Sequence, residues 1–297
     1  MTKFTNFSIV ASFLGLWFNS FIEEETQIII GFLLIFSFGI LHGANDLQLI
    51  DKTISKLSGN SFYKILLYYV TVVVFGAFLF FFIPALALLL FIVVSGYHFG
   101  EQHWQSELMG ESKKINLLFH LFYGLLILSL LFVFHIQEVQ RIIADISKIN
   151  LTSNSIYLFF YFSLIGFLVL CLIKYLKSKE IKKTVIQELL FLLVFAIIFK
   201  TSTLIWGFTI YFILWHSIPS MIDQISFLYG SVTFDNFKKY LKSAFLYWIS
   251  SLAGILLLYL IFRNVYFFDA LFFSFLAAIT FPHVWVIVNM FKTKKAN

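Results

Sequence analysis

The chain is 297 residues long, 61% apolar and 12% charged, with a mean hydropathy of +0.93; a soluble globule of this size cannot hide so much apolar surface from water, and the composition predicts an integral membrane protein. A formal charge of +6 would suit nucleic acid, but the lysines fall in short clusters between apolar runs, as at the rims of membrane spans, which excludes that reading. The single cysteine, Cys171, sits inside an apolar run, so disulfide frameworks and cysteine-based metal sites are excluded too.

The opening stretch, MTKFTNFSIVASFLGLWFNSF, has the lysine and apolar core of a signal peptide. It lacks small-residue cleavage spacing and runs into Glu23, Glu24 and Glu25, and so reads as a retained first span. Further apolar windows fall at about 27–46, 62–82, 84–104, 115–135, 154–173, 185–199, 201–221, 243–262 and 267–290. The expectation is an all-α polytopic bundle of about ten transmembrane helices, forming a single membrane-embedded domain over 1–297. The longest polar connections, about 136–153 and 222–242, read as loops.

Orientation follows from the basic residues. With the N-terminus inside, seventeen of the 21 lysines and arginines lie on the inner side, leaving Arg141, Lys148, Lys200 and Arg263 outside. Both termini are therefore expected in the cytoplasm. The expected location is the inner (plasma) membrane, as a multi-pass protein.

On this topology His42, His98 and His216 fall near the inner ends of the second, fourth and eighth helices, and His283 in the inner half of the tenth. His103 also lies near the inner end of the fourth, His120 lies in the inner half of the fifth, and only His135 is at the outer face. A lone histidine in an apolar span is more often a packing residue than a ligand. Four imidazoles at one depth on four helices running the same way are what a metal site between packed helices requires. Neutral imidazole is the commonest metal ligand and suits iron, zinc and copper.

Asp46 follows His42 by four residues, so on a helix its carboxylate would share a face with the ring and hold its second nitrogen. Glu101 stands three residues after His98, placed to ligate or support, whereas His103, five residues on, is turned about 140° away on an ideal helix. The bland alternative is that Asp46, Glu101 and His103 are solvated groups at the membrane surface. The 41 phenylalanines could line a tunnel for a long polyene, although 19 lysines against two arginines point to biased codon usage as the simpler origin.

In order and context, HGAND (42–46), YHFGEQ (97–102), WHSIPS (215–220) and FPH (281–283) resemble the motifs of the Brp/Blh family of membrane carotenoid-cleaving enzymes, over nearly the whole chain. The resemblance implies beta-carotene 15,15'-dioxygenase activity: an iron(II), Fe(2+), centre held by histidines splits the central double bond of beta-carotene with O2 into two molecules of retinal, which then serves as chromophore for a microbial rhodopsin. The family's third motif can carry a second histidine four residues after the first; here that position is Ser220. Either His283 completes a set with His42, His98 and His216, or the site keeps three ligands and uses the remaining positions for water, O2 and Glu101.

Three other functions compete with this reading. A non-catalytic carotenoid or retinal carrier would use the aromatic cavity without metal. A di-iron desaturase needs HxxxH or HxxHH clusters, which the sequence lacks. A proton-coupled transporter is disfavoured by the common depth of the histidines.

Overall fold

A computed structural model describes residues 3–54, 61–104, 113–177, 181–262 and 268–296. Regular structure among the described residues is helical throughout. In chain order the α-helices are α1 (Lys3–Asn19), α2 (Glu24–Leu34), α3 (Asp46–Ile54), α4 (Ser61–Phe82), α5 (Pro84–Trp104), α6 (Lys113–Phe134) and α7 (Ile136–Ser147). They continue as α8 (Ser153–Lys177), α9 (Ile181–Thr201), α10 (Leu204–Tyr211), α11 (Ile218–Tyr229), α12 (Phe234–Phe262) and α13 (Phe268–Ala296). Two π-helical segments, Ile35–Gly39 and Phe212–Ser217, are spliced between α2 and α3 and between α10 and α11.

Among the described residues eight helical stretches are long and apolar enough to cross a membrane, and they coincide with the third to tenth apolar windows of the sequence. The protein is a polytopic helical membrane protein. The first two windows hold α1, 17 residues long, and α2 with its π-helical continuation. Of the basic residues that set the expected orientation, Lys56, Lys179 and Arg263 lie outside the described residues.

The expected loops are largely helix. Residues 136–147 form α7, in which Val139 and Ile142, three apart on one face, are buried while Glu138 and Arg141 are not; amphipathic spacing outweighs mean polarity here. Residues 222–229 complete α11, which stops at Gly230, the residue with the left-handed φ of 83° that a helix C-terminus favours.

Contacts group the chain into two compact units. The first comprises Met1–Ile35, Ile92–Arg141 and Asn150–His216. In it α6 packs along α8 and α9, and α10 along α2 and α9. In it α5 and α6 also approach each other closely through glycines. A Cβ on Gly100 would lie 1.8 Å from the His120 carbonyl oxygen, and one on Gly124 would lie 1.8 Å from that of Gly96. Only glycine permits this approach.

The second unit comprises Phe36–Phe91, Ile142–Ile149 and Ser217–Asn297. There α13 lies against α4 and α3, closing over Leu47, Leu49, Ile50, Val286, Ile287 and Met290. Pro282 interrupts the α13 hydrogen-bond ladder one residue before His283.

Candidate metal centre

In the second unit the chain leaves its π-helical turn and passes through His42-Gly43-Ala44-Asn45 in tight turns. The amide hydrogen bonds run three residues back, Gly43 to Ile40, Ala44 to Leu41 and Asp46 to Gly43. The α-helical register is therefore broken between His42 and Asp46, and α3 starts only at Asp46. The expected His42–Asp46 pairing fails for this reason. Asp46 instead reaches α13, where its Oδ1 lies 2.8 Å from His283 Nδ1, while its Oδ2 accepts from the Tyr69 hydroxyl at 2.9 Å.

The His42 and His283 rings meet edge to face, with centroids 4.8 Å apart and planes at 86°. His42 is held through its backbone. Its carbonyl accepts from Gln224 Nε2 at 2.8 Å, and the second proton of that amide goes to Ser220 Oγ at 3.1 Å. The amide oxygen of Gln224 accepts from Tyr240 at 2.8 Å. Asn45, on the other side of the turn, donates to the Tyr240 carbonyl and accepts from Ser243. Each partner supplies the polarity the next one needs, so a largely buried polar lattice forms around the turn.

In the first unit His98 on α5 and His216 in the second π-helical segment form a like pair, with centroids 4.6 Å apart and planes at 81°. Phe99 and Phe212 pack against the His216 ring, at 4.8 and 5.4 Å. Glu101 is 7% exposed and accepts from the Tyr97 hydroxyl at 2.9 Å. His103 faces elsewhere, as its angle on the helix predicts. Its Nδ1 lies 3.4 Å from Oε2 of Glu188 on α9, an oxygen that also accepts from the Tyr123 hydroxyl, and its ring lies parallel to those of Tyr211 and Trp215.

The reading of Asp46, Glu101 and His103 as solvated surface groups is overturned. The two carboxylates are buried and hydrogen-bonded, and the His103 side chain is 7% exposed beside Glu188. Ser220, fully buried, is the acceptor of Gln224. His120 packs near Tyr97, at 5.9 Å between centroids. His135 lies on the link between α6 and α7, with Nε2 2.8 Å from the Phe199 carbonyl oxygen; burial holds its imidazole below the ordinary histidine range. Sequence reasoning missed Tyr69, Gln224, Tyr240 and Glu188. Gln224, four residues beyond the end of WHSIPS, could have been noticed as a polar residue inside an apolar span, whereas Tyr69 in an aromatic-rich helix carries no such mark.

The donor set fits a borderline transition metal. Each unit presents two buried imidazoles at close range, and one of them, His283, has a carboxylate on Nδ1, the arrangement that directs Nε2 toward a metal and raises its basicity. The fit is to nitrogen ligation, as iron, zinc and copper accept; a hard cation would call for oxygen ligands. No curated protein and no solved structure matches the chain. A family model, however, matches it from residue 33 to residue 291, taking in all four histidines, and the chain belongs to that family, beta-carotene 15,15'-dioxygenase.

Proposed function

We propose that the protein is a membrane dioxygenase that cleaves the central double bond of beta-carotene with O2 to give two molecules of retinal. The equation balances without a further reductant: one carbon–carbon double bond breaks, and each of its carbons takes one oxygen atom. The observation that carries this reading is the family match over residues 33–291, with a histidine in each of the four motifs.

His42, His98, His216 and His283 are the proposed ligands of one iron(II). When bound, such an ion supplies the redox chemistry that lets O2 react with an alkene. The four imidazoles are neutral donors and leave the ion its full positive charge. Asp46 and Tyr97-bound Glu101 act from outside the ligand set, Asp46 by fixing the tautomer of His283. Ser220 holds Gln224 and through it the His42 backbone, and His103 supports the first unit through Glu188.

The surrounding apolar side chains keep water away from the reacting carbons and let a substrate dissolved in lipid enter without crossing an aqueous phase. The protein works as a single membrane-embedded domain with about ten crossings and both termini in the cytoplasm, in the plasma membrane. The retinal it releases is the chromophore a microbial rhodopsin takes up.

Expression in a beta-carotene-producing bacterium tests the proposal, with retinal extraction and loss of orange colour as the readouts. Retinal formation that disappears in His42→Ala and His283→Ala supports it. Unchanged carotenoid, with carotenoid but no iron in the purified protein, would sink it in favour of a carrier.

A further inference from the structure

Along α4 most side chains are exposed and apolar, among them Leu67, Val70, Val74 and Phe75. Its inward stripe, at helical spacing, runs through Ile65, Leu66, Tyr69, Val73 and Gly76, and at Gly76 it comes close to Ala278 and Phe281 of α13. Tyr69 is the polar member of that stripe. Its hydroxyl meets Asp46 Oδ2 at 2.9 Å, while Oδ1 of the same carboxylate meets His283 Nδ1 at 2.8 Å.

We propose that Tyr69 is a positioning residue for the metal centre, acting through Asp46 on His283. The inference rests on the reading of His283 as a ligand. A carboxylate held at one oxygen can swing about its Cβ–Cγ bond; one held at both has its plane fixed. The phenol donates to Oδ2, and in this arrangement the imidazole gives Nδ1–H to Oδ1, so that each carboxylate oxygen accepts one bond. That tautomer puts the ring's lone pair on Nε2, the nitrogen left to meet a metal. Asp46 is 2% exposed, so no solvent competes for either oxygen and the geometry passes intact from phenol to ring. α4 thus contributes to the centre without contributing a ligand.

The test uses the full chain in detergent, stripped with a chelator and titrated with Co2+, whose visible absorption reports binding. Tyr69→Phe is expected to lower Co2+ affinity about tenfold, within the range that outer partners of metal ligands show. Tyr68→Phe, at an exposed neighbouring position, is expected to leave it unchanged. In an Asp46→Asn background Tyr69→Phe should add nothing further, because its route is already cut.

Equal affinity in Tyr69→Phe and the parent, or the same loss in both backgrounds, overturns the positioning role while leaving the metal reading intact. A parent protein that binds no Co2+ overturns both. Nitrogen NMR of the metal-free parent provides a check that needs no folded variant at position 69. His283 should carry its proton on Nδ1, and a proton found on Nε2 overturns the proposal.

Discussion

Asp46 lies 2.8 Å from the ring of His283, 237 residues further along the chain, and not on the ring of the histidine four residues before it. The link joins the first residue of α3 to the middle of α13 and makes one carboxylate the hinge between a motif near the start of the chain and one near its end. Removing it leaves the His283 ring without its Nδ1 partner and the Tyr69 hydroxyl without an acceptor. Asp46→Ala is expected to lower retinal formation by ~10 to 100-fold, with iron binding weakened and not abolished. Iron analysis of the purified variant checks this; complete loss of iron would make Asp46 a ligand in its own right.

The α5–α6 crossing is expected to be the least tolerant packing contact in the first unit. A methyl group at Gly100 or Gly124 would meet a backbone carbonyl at 1.8 Å, and neither backbone can rotate out of the way as a side chain would. Gly100→Ala and Gly124→Ala should each destabilise by at least the ~1 to 3 kcal/mol typical of overpacking, and retinal formation should fall with them because His98 rides on α5. Gly254, where an added Cβ meets nothing within 4 Å, is the matched control. Thermal melts of the three variants in detergent decide the point.

These relationships differ in how far the sequence discloses them. His42, His98, His216 and His283 stand out in the sequence because an ionisable residue is conspicuous in an apolar span, and the structure buries all four and pairs their rings two by two. Burial and partner are another matter. The His42–Asp46 spacing invites a helical reading, and nothing in the letters HGAND shows that the amides turn back three residues instead of four. The partner that Asp46 finds is on α13, and no local period reports a contact of that range. The two π-helical segments, one leading into the His42 turn and one containing His216, are equally silent in sequence, although such segments are frequent at functional sites. His103 shows the opposite case, since a simple angular argument turned it away from His98 and Glu188 is what it found.

His103 and Glu188 should behave as one unit in stability. Glu188 is 4% exposed, and replacing it with leucine strands both the Tyr123 hydroxyl and the His103 ring in an apolar interior. Glu188→Leu is expected to cost ~1 to 3 kcal/mol, the penalty of a buried polar group left unmet. His103→Leu should cost a similar amount, and the double variant clearly less than the two together. A double-mutant cycle on thermal stability in detergent checks this; strict additivity would mean that the two side chains do not communicate.

Ser220 stands where the family resemblance leads one to expect a second histidine, and the hydrogen bonds around it explain how the serine is used. Its hydroxyl takes one proton of the Gln224 amide, whose other proton holds the His42 carbonyl. In Ser220→Ala the bond to His42 and the bond from Tyr240 both survive, so the expected loss is about 0.5 to 1.5 kcal/mol of stability with iron content unchanged. Gln224→Leu removes the whole clamp and should lower retinal formation more than Ser220→Ala does. Ser220→His introduces the residue that the resemblance leads one to expect there. Position 220 is fully buried, so the larger ring must displace the Gln224 amide or take its place beside the metal. Either way it disturbs the hold on His42 or fills a coordination position that O2 needs, and the variant should keep iron and lose cleavage activity. Iron analysis together with retinal yield in a carotenoid-producing host separates the outcomes. A strong rise in activity would show that the natural site is short of ligands and that His283 is not one of them.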